Sequence, residues 1–92
     1  MCEVFLLRDL GPFEVAVRGE FQGVDSLDVV GMVLEHLPPH SDVVVDLNGA
    51  TADAGTLIGL VRLVQARELS DVAVVVAARD ERMRAVLLAA GA

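Results

Sequence analysis

The sequence predicts a small α/β domain: a mixed β-sheet packed by helices, in the order β-β-α-β-α-β-α, with residues 1–92 forming one unit. Three observations lead there. Val43 to Leu47 and Val72 to Ala78 are nearly unbroken apolar runs, the pattern of central strands buried on both faces. Phe13, Val15 and Val17 alternate with Glu14, Ala16 and Arg18, the period-two signature of a strand. Three further segments carry apolar residues at helical spacing behind an aspartate. With 92 residues, 54% of them hydrophobic, the chain is long enough for one core.

Each element has its local reason. Glu3 to Arg8 holds the strand formers Val4, Phe5, Leu6 and Leu7. Gly11-Pro12 is a turn signal, so this strand and the alternating one after it should pair antiparallel. Gly19-Glu20-Phe21-Gln22-Gly23 is expected to break the second strand. Asp25 is the expected N-cap of the first helix, with Asp28 at the capping-box position. Leu27, Val30, Val33, Leu34 and Leu37 form its apolar face, and Pro38-Pro39 stops it.

After the strand at Val43 to Leu47, a small-residue loop leads to Asp53, the expected N-cap of the second helix. Leu57, Leu60, Val61, Leu63 and Val64 should be buried there, with Arg62, Gln65, Arg67 and Glu68 outside. Val72 to Ala78 follows as a strand. Asp80 then caps a third helix with Met83, Val86, Leu87 and Ala90 inward and Gly91 as C-cap. Each strand–helix–strand step should be a right-handed crossover between parallel strands.

Composition removes several functions. The formal net charge of −7 disfavours nucleic acid and anionic membrane surfaces as partners. All seven basic residues are arginine, which rules out lysine Schiff-base chemistry. Tryptophan and tyrosine are absent, so there is no platform on which bases would stack. Cys2 is the single cysteine; no intrachain disulfide can form, and the cytoplasm is the expected compartment. No signal-like apolar run precedes Cys2, and no stretch reaches the roughly 18 residues of a membrane span, so no membrane insertion is expected.

The catalytic motifs do not assemble. A phosphate loop needs four residues between its glycines and then lysine; here five separate Gly49 from Gly55 and no lysine follows. Asp46 at a strand end is similar to the phosphoacceptor of a receiver domain, but that site also needs a lysine. The alternative is an acid that hydrogen-bonds loop amides. His36 and His40 lie four residues apart with two prolines nearby, and no third ligand accompanies them. Neither histidine is marked as a base for Cys2. Thus no catalytic residue, no metal and no cofactor are expected, and the chain reads as a non-enzyme. Thr56, in the first turn of the second helix, has two readings. It is either a capping hydroxyl or a phosphorylation acceptor whose charge the helix dipole would tolerate.

Three segments together resemble the STAS domain, the fold of bacterial anti-sigma factor antagonists. Val17-Arg18-Gly19-Glu20-Phe21 resembles that family's strand ending in Gly-Glu-Leu-Asp. Val43 to Thr51 with Asp53-Ala54-Gly55-Thr56-Leu57 resembles Asp-Leu-Ser-Gly-Val-Thr followed by Asp-Ser-Ser-Gly-Leu. Val74-Val75-Val76 with Glu81 to Gly91 resembles the closing strand–helix step. The fold expected is therefore STAS-like, lacking the usual final strand and helix.

The resemblance implies a protein-binding module in transcription regulation, docking on an anti-sigma factor of kinase fold. Gly19, Glu20, Phe21, Gln22, Asp53, Ala54, Gly55, Thr56 and Leu57 are the expected partner-binding residues. In the family the serine after Asp-Ser is phosphorylated. Anchored on Asp53 and the helix leucines, that position falls on Gly55, which has no hydroxyl; a one-residue shift puts Thr56 there. The alternative is an accessory STAS subunit gripping a bacterial phospholipid-transport ATPase. The apolar strand Val72–Ala78 is expected to keep an exposed edge for a homodimer or another chain.

Overall fold

Seven elements follow one another in the predicted order: β1 (Cys2–Arg8), β2 (Phe13–Phe21), α1 (Gly23–Glu35), β3 (Asp42–Ala52), α2 (Ala54–Glu68), β4 (Ala73–Ala77) and α3 (Glu81–Ala89). The structure, a computed structural model, describes residues 2–8, 12–38, 40–68 and 73–91. The sheet order is β1-β2-β3-β4. β1 pairs antiparallel with β2, while β2–β3 and β3–β4 are parallel. Pro12 precedes β2 as the turn signal requires; Gly11 lies outside the described residues.

All three helices cover one face of this sheet. Val15 and Val17 of β2, Val43, Val45 and Leu47 of β3 and Val74 of β4 share a single core with α1, α2 and α3. The helices contribute Val30 and Leu34, then Leu57, Leu60, Val61 and Val64, then Met83 and Leu87. The expected inward faces of the helices are thus the observed ones, but Arg67, expected outside, is half-buried with its Nε shut off from solvent. The single covered face follows from the strand order. It advances in one direction from β2 to β4, so crossovers of one hand deliver α1 and α2 to the same side, and α3 packs beside α2 there.

The opposite sheet face is open, which corrects the expectation that both apolar runs are buried on both sides. Phe5, Leu7 and Val75 are exposed there, Val75 to 61%, and Val44 is only half-buried. β4 is an edge strand of the described sheet, as the expected open edge requires, and not the central strand its apolar run suggested. Valine is favoured on any pleated surface, so an unbroken valine run reports a strand without reporting how many of its faces are covered. On this open face the Arg18 guanidinium lies 5.5 Å from the centroid of the Phe5 ring and shields part of it.

Element boundaries differ from expectation in five places. β2 continues through Gly19 to Phe21, and β3 through Asn48 to Ala52. α1 starts at Gly23 behind Gln22, so Asp25 lies in its first turn and is not its N-cap. The same helix closes at Glu35 with His36 as C-cap, ahead of Pro38; Pro39 lies outside the described residues. β4 spans Ala73–Ala77, with Val72 outside the described residues and Ala78 just past the strand. α3 begins as predicted: the Asp80 carboxylate accepts from the Met83 N–H at 3.0 Å. It also closes as predicted, with Gly91 at φ 102° after Ala90. No helix among the described residues is long and apolar enough to cross a membrane.

Candidate protein-docking site

The two expected binding segments meet at the carboxyl end of β2 and β3. Their meeting depends on a bulge. Ala16 pairs with Asp46, but Arg18 pairs with Gly49, so β3 carries one extra residue between them. The bulge is held by side chains. Asp46 Oδ1 accepts from the Asn48 N–H at 2.9 Å, and Asn48 Oδ1 accepts from the Arg79 N–H at 2.7 Å. Asp46 therefore has the amide-binding role weighed against the phosphoacceptor one. Beyond the bulge, Arg18, Gly19, Glu20 and Phe21 pair in step with Gly49, Ala50, Thr51 and Ala52.

This pairing replaces the expected strand break and most of the expected loop. Gly19 sits at φ 91°, a backbone that only glycine adopts without strain, so the strand twists there instead of ending. Phe21 is fully buried in the core, which pins the end of β2. Of the predicted outward loop, only Asp53, Ala54 and Gly55 remain outside regular strand pairing and exposed.

A hydroxyl then ties the two segments together. Thr56 Oγ1 accepts from the Gly23 N–H at 2.9 Å and donates its own proton to the Asp53 carboxylate. The first backbone donor of α1 is thus satisfied from α2, 33 residues away. Helix starts always leave such donors unpaired within the helix, and Gln22 supplies no side-chain cap. Gly23 stands at φ 81°, and an added Cβ would meet nothing within 4 Å, so conformation, not space, selects glycine there. Ser26 reinforces the same turn: its hydroxyl accepts from the Gln22 N–H at 3.3 Å and donates to the Gln22 carbonyl at 2.9 Å. Cys2 Sγ lies 3.6 Å from that hydroxyl.

The predicted site residues accordingly divide in two. Gly19, Glu20, Gln22, Asp53, Ala54 and Gly55 are exposed around the paired starts of α1 and α2. Phe21, Thr56 and Leu57 are buried beneath them, with Thr56 at 3% exposure. The expectation that the whole Asp53–Leu57 stretch faces solvent therefore holds for its first three residues and fails for the last two. Of the two readings of Thr56, the capping one matches the geometry, since one lone pair and the proton are used inside the protein.

Two apolar residues belong to this surface that sequence reasoning missed. Val24 follows Gly23 and is 70% exposed; Ile58 lies in the first turns of α2 and is 38% exposed. Ile58 had a signal, being an apolar residue off the Leu57, Leu60, Val61, Val64 stripe. Val24 had none, because it stood before the expected N-cap. Asp25 follows Val24 in the first turn of α1 and Asp53 precedes α2, so each helix start carries an exposed apolar residue and a carboxylate. Beside it a hollow of about 290 Å³ opens between Thr51, Ala54, Leu57, Asp80, Arg82 and Met83.

Among the described residues no three His, Cys, Asp or Glu side chains are grouped to hold a metal ion. His36 is exposed at the end of α1, with Nδ1 2.6 Å from the Met32 carbonyl oxygen, and His40 is exposed at φ 63°. No protein-family model matches the chain, and no curated protein matches it.

Proposed function

We propose that this chain is a non-enzymatic, cytoplasmic protein-binding module of the anti-sigma-factor-antagonist kind, whose partner is an anti-sigma factor of kinase fold. Docking is through Gly19, Glu20, Gln22, Asp53, Ala54 and Gly55, with Val24 and Ile58 as apolar contacts. The observation that carries this reading is the Thr56 bridge from α2 to the Gly23 N–H of α1. It makes one rigid surface out of two segments that the resemblance had singled out separately. Exposed apolar residues with carboxylates at the same helix starts suit a partner with an apolar patch and basic surroundings. The buried, doubly bonded Thr56 and the hydroxyl-free Gly55 favour docking that is independent of phosphorylation.

The test is affinity capture from the native cell with the wild-type chain and with Asp53→Lys, followed by mass spectrometry. A kinase-fold protein retained by the wild type and lost with Asp53→Lys supports the reading. The captured kinase, incubated with the chain and ATP, should add no phosphate to Thr56. Capture of a transport ATPase, or equal capture by both forms, would replace this proposal.

A further inference from the structure

We propose that two copies of this chain pair antiparallel through their β4 edges, forming one continuous sheet across a two-fold axis. This goes beyond the docking reading and does not depend on it, because β4 takes no part in that surface.

The backbone comes first. β4 bonds only to β3, so its other side is an open edge of the described sheet. The Ala73 N–H is directed to β3, where it reaches the Ser41 carbonyl at 3.2 Å. Alternation along a strand then turns the N–H and C=O of Val74 and Val76 outward. Edges of this kind are normally blunted by charge, proline or a bulge. Ala73-Val74-Val75-Val76-Ala77 has no charged residue and no proline, and it pairs with β3 without a bulge.

On the helix-covered side of β4 is a groove of about 440 Å³ between α2 and α3. Val64, Val74, Val76, Leu87 and Leu88 line it, and Leu88 is 68% exposed. An added strand would therefore gain hydrogen bonds from β4 beside an apolar groove.

Charge selects a second copy, in antiparallel orientation, as the occupant. Glu68 and Arg84 both line the groove. Glu68 ends α2 and so sits toward the Ala73 end of β4, while Arg84 lies at the start of α3, toward the Ala77 end. Antiparallel pairing of two β4 strands lays the Ala73 end of one against the Ala77 end of the other. Glu68 of each copy then meets Arg84 of its mate, and the pair is made twice. The same patch serves both copies, as closed two-fold assembly requires.

Sedimentation equilibrium from micromolar to millimolar protein tests this. The wild type should dimerise, and the Val74 and Val76 amides should exchange more slowly as concentration rises. Glu68→Arg and Arg84→Glu alone should each weaken the dimer about tenfold or more, since two attractive contacts become repulsive. The double variant E68R/R84E should restore it, because the pairs are re-formed with signs exchanged. Val76→Pro removes an outward N–H and should yield a monomer. The charge variants concern exposed side chains and leave the core intact, so they decide the matter even where Val76→Pro unfolds. A monomer at every concentration, or a dimer equally tight in both single reversals, overturns the proposal.

Discussion

Replacing Thr56 by valine isolates the hydroxyl on which the candidate site rests. The substitution keeps nearly the same volume at a position only 3% exposed. It removes the acceptor of the Gly23 N–H and the donor to Asp53 at once. The freed Asp53 carboxylate is exposed and rehydrates at little cost. The Gly23 N–H is different, because its partner lies in the interior. A donor left without a partner costs about 1–3 kcal/mol, and partial access of water at exposed Gly23 puts this one toward the lower end. The added methyl returns a little less than the roughly 0.8 kcal/mol of a buried CH₂. The net expectation is a loss of about 1 kcal/mol, or about 4–8 °C in Tm for a domain of this size. Thr56→Ser also loses about as much through its missing methyl, so stability alone does not separate the two variants. Amide exchange does. The Gly23 N–H should stay protected in the serine variant and become fast in the valine variant. Equal protection of Gly23 in both, or a valine variant as stable as the wild type, would refute the bridging role.

Other substitutions probe the rest of the fold and site. Phe21→Ala should cost about 3–5 kcal/mol by urea unfolding, because a fully buried ring closes the end of β2. Asp80→Ala should cost about 1 kcal/mol, the usual loss when an N-cap stops accepting from the third helical N–H. Asp53→Lys should lower stability by about 1 kcal/mol, since it loses the Thr56 partner and opposes the α2 dipole. It should nevertheless abolish capture of the partner; melts and binding titrations on one preparation check both halves. Asn48→Ala should speed exchange of the Arg79 amide, which the Asn48 side chain holds at 2.7 Å.

The elements and their order were legible in the sequence because each has a local cause. Alternation marked β2, valine runs marked β3 and β4, and leucine spacing marked the helices. The cap at Asp80 and the glycine at Gly91 were read correctly for the same reason. The misread boundaries at β2 and β3 share one origin. Gly19 reads as a breaker, and the small-residue stretch after Leu47 reads as a loop, because local propensity favours both. A bulge one residue wide aligned these two weak segments so that each became the other's pairing partner. Asp25 looked like a cap because the real partner of the helix start, Thr56, lies 33 residues away.

The sequence by itself determined the seven elements and their order, most of the inward face of each helix and the absence of lysine chemistry. These depend on periodicity and composition, which neighbouring residues carry. Only the tertiary structure decided which sheet face stays open and which members of the candidate site are reachable. Phe21, Thr56 and Leu57 carry the same motif pattern as Glu20, Asp53 and Gly55, yet one set is buried and the other exposed. That division follows from the Thr56 bridge and the β3 bulge, contacts between residues far apart in the chain. Such contacts form only when the whole core closes, so no local pattern encodes them.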